Sequence, residues 1–139
     1  LGTCLKNMIM FVPRPADYHG DTCASLGAIC QLPELAGKVR LNILVLLTPQ
    51  FHGLGPHRFS SRYTWPYGGL LVGTDPVAVD ATGARILQEK RKEYFGESRP
   101  ISPPPQHIYI ADTRNGLGHS DQGKIDLIQL GWKEDSLIG

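Results

Sequence analysis

The sequence predicts an α/β fold, a mixed and mostly buried sheet covered by helices. Three stretches carry that expectation. Residues 39–47 are nearly all apolar on both faces, the pattern of a central strand in a covered sheet. Residues 70–73 form a shorter strand that runs directly into Thr74-Asp75-Pro76. Residues 76–95 then read as the longest helix, stopped at Gly96.

The remaining elements follow in chain order. Residues 1–12 alternate loosely and end before Pro13 and Pro15, so a buried strand stopped by prolines is expected. Tyr18-His19-Gly20 is loop, and Asp21 or Thr22 caps a helix running to about Leu35, closed by Gly37. Residues 48–69 are a long connection rich in Pro, Gly, His, Arg and aromatic side chains. Residues 97–106 are a proline-rich spacer, stiff and extended. Residues 107–115 fit a short strand or a short helix ending at Gly116, because periodicity does not separate the two. Residues 124–130 alternate as a last strand near an edge.

The 139 residues suffice for one domain with a real core, and 41% hydrophobic against 19% charged residues is a globular balance. A formal net charge of +1 supplies no field for nucleic acid or an anionic membrane, and neither partner is expected. The longest apolar run is strand-sized, far below the ~20 residues of a spanning helix. The start at Leu1, without Met or leader, leads us to expect a piece of a larger protein. Cys4, Cys23 and Cys30 are too few for a disulfide framework, and Cys23 and Cys30 on one helix would stand ~10 Å apart. No C-x-x-C spacing is present to hold an iron–sulfur cluster, so the thiols read as small buried hydrophobes.

The junction at residues 70–80 is the most informative stretch. Thr74 or Asp75 offers a side-chain oxygen to the free N–H groups of the first helical turn, and Pro76 stands where a missing N–H costs nothing. Ala78, Ala81, Gly83 and Ala84 let the helix approach the sheet closely, and Lys90-Arg91-Lys92 suits its C-terminal end. Asp80 is the odd member, a carboxylate one turn into the helix between Val79 and Ala81. It reads as a structural acid stabilised by dipole or hydrogen bonds, or as a ligand or proton acceptor at the sheet's carboxyl edge.

The run Gly73-Thr74-Asp75-Pro76-Val77-Ala78-Val79-Asp80-Ala81 resembles the hallmark of the domain-of-unknown-function 362 family. Leu5-Lys6-Asn7 is similar to that family's Lys-Asn element, His19 falls where a following His is usual, and Leu41-Asn42-Ile43 resembles its central strand. Ala111 and Gly116-Leu117-Gly118 look like the short element before the last strand. The resemblance covers nearly the whole chain but only the carboxy-terminal part of the family's single α/β domain. It implies a sheet incomplete without upstream strands but, as the family has no agreed activity, it does not fix the function; Asp80, Asp75 and Lys6 are the catalytic candidates in the matching elements, with Asn7 and His19 as candidate ligand contacts. It also implies an iron–sulfur cluster in another segment and none within these residues, a ferredoxin-like domain or the rest of the polypeptide as partner, and twin-arginine export of some members. One departure is plain: the family strand often carries an acid after its Asn, where this chain has Val45-Leu46-Leu47.

Five histidines, His19, His52, His57, His107 and His119, fall in loops or element ends, and with Asp75, Asp80 and Asp112 they include metal-ligating types. His52 and His57, close together in the 48–69 connection, are the candidate metal pair. Arg58, Arg62 and Trp65 offer a surface to stack a planar ligand or clamp an acid, unless the loop only folds onto its own domain. No G-x-S-x-G elbow or P-loop is present. The expected function is a redox-linked or metal- or cofactor-binding enzyme component, its site where the 48–69 loop meets Asp75 and Asp80. The alternative is a non-catalytic module that binds a ligand or another subunit, with the 48–69 loop as the interface and Trp65 and Tyr67 as its anchors; a homo-oligomer is among the expected partners.

Overall fold

The computed structural model describes residues 1–53 and 58–139. Its regular elements are α1 (Cys4–Asn7), α2 (Leu26–Cys30), β1 (Asn42–Leu46), β2 (Gly69–Gly73), α3 (Pro76–Phe95) and α4 (Gln106–Thr113). The architecture is mixed α/β. β1 and β2 pair antiparallel, Asn42 opposite Gly73 and Leu46 opposite Gly69, and α3 lies across one face of the pair.

α3 starts and stops where its sequence says. Asp75 is the N-cap, Pro76 takes the first position, and Gly96 closes the helix in the left-handed region at φ 71°. A Cβ on Gly83 would come within 2.7 Å of Leu44 Cδ2, so glycine here lets the helix lie close to both strands. Leu46, Ile86 and Ile138 pack beneath it with Leu44 and Leu71. On its other side α3 joins α1 and α4 around Leu5, Val77, Ile108 and Ala111. The opposite face of the strand pair is open: Leu41, Ile43, Val45, Leu47, Leu70 and Val72 are each between 54% and 59% exposed.

The strand expected over residues 1–12 is instead helical over residues 4–11. α1 continues as a single 3-10 turn over Met8–Phe11. Leu5, Met8, Ile9 and Val12 are buried while Met10 and Phe11 are exposed, which is an i, i+3, i+4, i+7 stripe hidden in an unbroken apolar run. Asp80 starts this helix by accepting from the Cys4 and Leu5 N–H groups, donors that a helix cannot satisfy internally.

The helix expected from Asp21 to about Leu35 shrinks to α2. Asp21, Thr22 and Cys23 take φ values of 45°, 52° and 68°, outside the right-handed helical region, and Pro33 has no N–H to continue the helix. The strand over 39–47 narrows to β1. Residues 107–115 resolve as the helix α4, with Gly116 at φ 61° beyond its end. Residues 124–130 keep a strand's alternation, Ile125, Leu127 and Gln129 half-buried and Asp126, Ile128 and Leu130 exposed. They are not a strand, because they join no ladder among the described residues. The proline-rich spacer does not stand free: Arg91 donates to the Arg99 and Pro100 carbonyls and Gln88 accepts from the Ile101 N–H, which straps it to α3.

Candidate functional site

The β2–α3 junction is fixed from three directions. Asn42, buried in β1, donates through Nδ2 to the carbonyls of Gly73 and Thr74, both at 3.3 Å, and so holds the end of the strand. Asp75 Oδ1 accepts from the N–H groups of Val77 at 2.8 Å and Ala78 at 2.9 Å, capping α3. Asp75 Oδ2 accepts from the backbone N–H of His119 at 2.9 Å and lies 3.4 Å from His119 Nδ1. The loop comes this close because residue 118 is glycine, where a Cβ would collide with the Asp75 carboxylate. A second carboxylate completes the hold: Asp112 Oδ2 accepts from Ser120 N at 2.8 Å and Ser120 Oγ at 2.7 Å. These two donors, the backbone N–H first, keep the Asp112 carboxyl below the usual carboxylate range.

An open cleft of about 440 Å³ lies here, lined by Thr74, Asp75, Asp112, Gly116, Leu117, Gly118 and His119. The His119 side chain is 55% exposed. With the proton on Nδ1 facing Asp75, Nε2 is the free basic nitrogen, the arrangement in which a carboxylate orients an imidazole for proton transfer. Thr74 and Asp112 add a hydroxyl and a carboxylate to the same walls.

Asp80 stands apart from this cleft. It is 0% exposed, its Oδ1 accepting from Cys4 N at 2.8 Å and its Oδ2 from Thr3 Oγ1 at 2.6 Å and Leu5 N at 3.0 Å. Burial pushes its carboxyl up, while the three donors pull the other way. Of the two roles open from the sequence, this geometry fits the structural acid. Lys6 is half-buried on α1 and Asn7 is exposed beside it, and neither lines the cleft. His19 is exposed, with Nδ1 at 3.7 Å from Cys23 Sγ, and is also outside the cleft.

The described part of the 48–69 connection folds onto the far end of α3. The Phe51 ring packs against Tyr63, Trp65, Tyr94 and Phe95 with centroids 5.1 to 6.4 Å apart. Buried Arg91 donates to the Phe51 carbonyl at 2.9 Å, and its Nη1 lies 3.1 Å from His52 Nδ1. Arg62 donates to the Tyr94 hydroxyl at 3.0 Å, and Arg58 is exposed. From Asp75 to Arg91 the helix axis advances about 24 Å, so His52, Arg62 and Trp65 do not share a site with Asp75. A guanidinium against His52 opposes a metal cation there, and His57 lies outside the described residues. Among the described residues, no group of three or more His, Cys, Asp or Glu side chains is placed to hold a metal ion.

Cys4, Cys23 and Cys30 lie outside the cleft. All three are free; burial, then the charge of Asp80, pushes the Cys4 thiol up to about 12, and burial raises Cys30 as well. The sequence names Asp75, Asp112 and His119 only within a broad set of metal-ligating types; that these three and Gly118 share one cleft comes from the fold. The available signal was Gly116-Leu117-Gly118-His119 directly behind a helix, a bend permitting close backbone approach followed by an imidazole. Comparison of the chain with protein-family models, curated proteins and solved structures found no match.

Proposed function

We propose that this chain is the acid–base, ligand-binding component of a larger α/β enzyme, with its site in the cleft at the β2–α3 junction. One observation carries this: Asp75 Oδ2 accepts from the His119 backbone and stands beside the His119 ring, while Oδ1 caps α3. Asp75 orients the imidazole, Nε2 exchanges a proton with a bound small molecule, and Thr74 and Asp112 contact that molecule's polar groups. The resemblance of residues 73–81 to the domain-of-unknown-function 362 family supports placing the chain as the carboxy-terminal part of such a domain. A redox link, through a ferredoxin-like partner carrying its cluster elsewhere, rests on that resemblance. The outer edges of β1 and β2, together with the unpaired extended segment 124–130, support a larger and mostly buried sheet completed by upstream strands.

Amide chemical-shift mapping of the isotope-labelled chain against small acids, amines, sugars and nucleotides tests the site. Shifts are expected at Thr74 and at residues 116–119, and they should vanish in His119→Ala. Shifts that map elsewhere, that survive the substitution, or that never occur would sink the assignment. A non-catalytic, subunit-binding role is favoured by a different observation, the uncovered apolar face of the strand pair.

A further inference from the structure

On the side away from α3, the strand pair presents six aliphatic side chains: Leu41, Ile43, Val45, Leu47, Leu70 and Val72. Register makes them contiguous, Ile43 lying opposite Val72 and Val45 opposite Leu70, with Leu41 and Leu47 extending the row along the first strand's direction. None of the six carries a charge or a hydrogen-bonding group. Each is more than half exposed, between 54% and 59%. Together they expose on the order of 600 Å², at the upper end of what a monomer's largest apolar patch measures. Sheets of α/β proteins bury both faces, and here, among the described residues, a helix covers only one.

The chemistry of the face selects its occupant. A uniformly aliphatic plane offers nothing to orient a charged or hydrogen-bonding partner, but it matches itself at every position. A two-fold axis lying midway between the stacked sheets, parallel to the line joining the central Leu44–Leu71 pair, sets Ile43 and Val72 of one copy over Val45 and Leu70 of the other, aliphatic against aliphatic throughout. Two such sheets stack about 10 Å apart with strands crossing near 30°. Two faces of this size bury about 1,200 Å², which reaches the lower bound of specific interfaces. We infer that this face is an isologous interface between two copies of the chain, a closed dimer formed by sheet stacking. Upstream strands would extend the sheet in its plane, whereas the second copy covers its face. The inference does not depend on the acid–base cleft.

Sedimentation velocity and light scattering on the chain test it. A mass twice the 15.3 kDa of one chain is expected at micromolar concentrations, with a thermal midpoint that rises with concentration. Val45→Glu, which brings two carboxylates into an apolar contact, should raise the dimer dissociation constant at least a hundredfold and leave the circular dichroism unchanged. If that variant fails to fold, Leu70→Thr serves in its place, with a rise of about tenfold expected. A wild-type chain that stays monomeric with a concentration-independent midpoint would overturn the inference. So would a dimer that these substitutions leave intact, or an open ladder of larger species in place of a dimer.

Discussion

Asp75 and Asp80 belong to one helix region yet perform different tasks, and burial separates them. Asp80 has no exposed surface and serves three donors at the start of α1. Asp80→Ala strands those donors and should cost about 3 kcal/mol in urea unfolding, without moving resonances of the cleft. A loss below about 1 kcal/mol would show that α1 does not rely on this carboxylate. His107 makes a second residue-scale case. It is 2% exposed, neither ring nitrogen has a partner among the described residues, and burial above all, with the charge of Lys6 adding to it, lowers its pKa to about 4. A folded pKa below the unfolded 6.5 means that the unfolded chain binds the proton first. The stability associated with neutral His107 is therefore complete above about pH 6.5 and is lost as pH falls toward 4, by up to about 3 kcal/mol. His107→Leu breaks no hydrogen bond among the described residues and should flatten the stability profile between those limits. An unchanged slope would assign the acid sensitivity to other groups.

Among the elements, α3 was the most legible because local chemistry alone marks both its ends, Asp75-Pro76 at the start and Gly96 at the stop. Its spacing of small residues also announced the close approach, and Gly83 delivers it against Leu44. Gly83→Val should push the helix off the strands and destabilise by about 1–3 kcal/mol. Gly83→Ala should fall near neutral, because gained helix propensity offsets a shift of the flexible Leu44 tip. Denaturant midpoints of the two variants check this; equal losses would mean that the helix tolerates no adjustment. α1 was misread for a physical reason: in the apolar run from Met8 to Val12 a helical and a strand pattern coincide. What decides between them is Asp80, 76 residues away from Cys4. Residues 124–130 show the converse, since their alternation is that of a strand but a strand exists only with a partner ladder.

At the scale of the whole molecule, α3 is the spine: α1, α4 and both strands pack on it. One cooperative transition is therefore expected, with far-UV circular dichroism and tryptophan fluorescence giving the same midpoint; separate midpoints would show the α1–α2–α4 side unfolding alone. The candidate site was half legible for the same reason of scale. Asp75 is visible in a nine-residue run, whereas its partner His119 lies 44 residues further on and only the fold brings the two together. The central claim is that one carboxylate both starts α3 and builds the cleft. Amide hydrogen exchange, compared between the wild-type chain and Asp75→Asn, tests it most directly. The His119 N–H should be protected in the wild type and lose protection in the variant, while the amides of the strand pair keep theirs. A His119 N–H that exchanges freely in the wild type, or is equally protected in Asp75→Asn, would contradict the account.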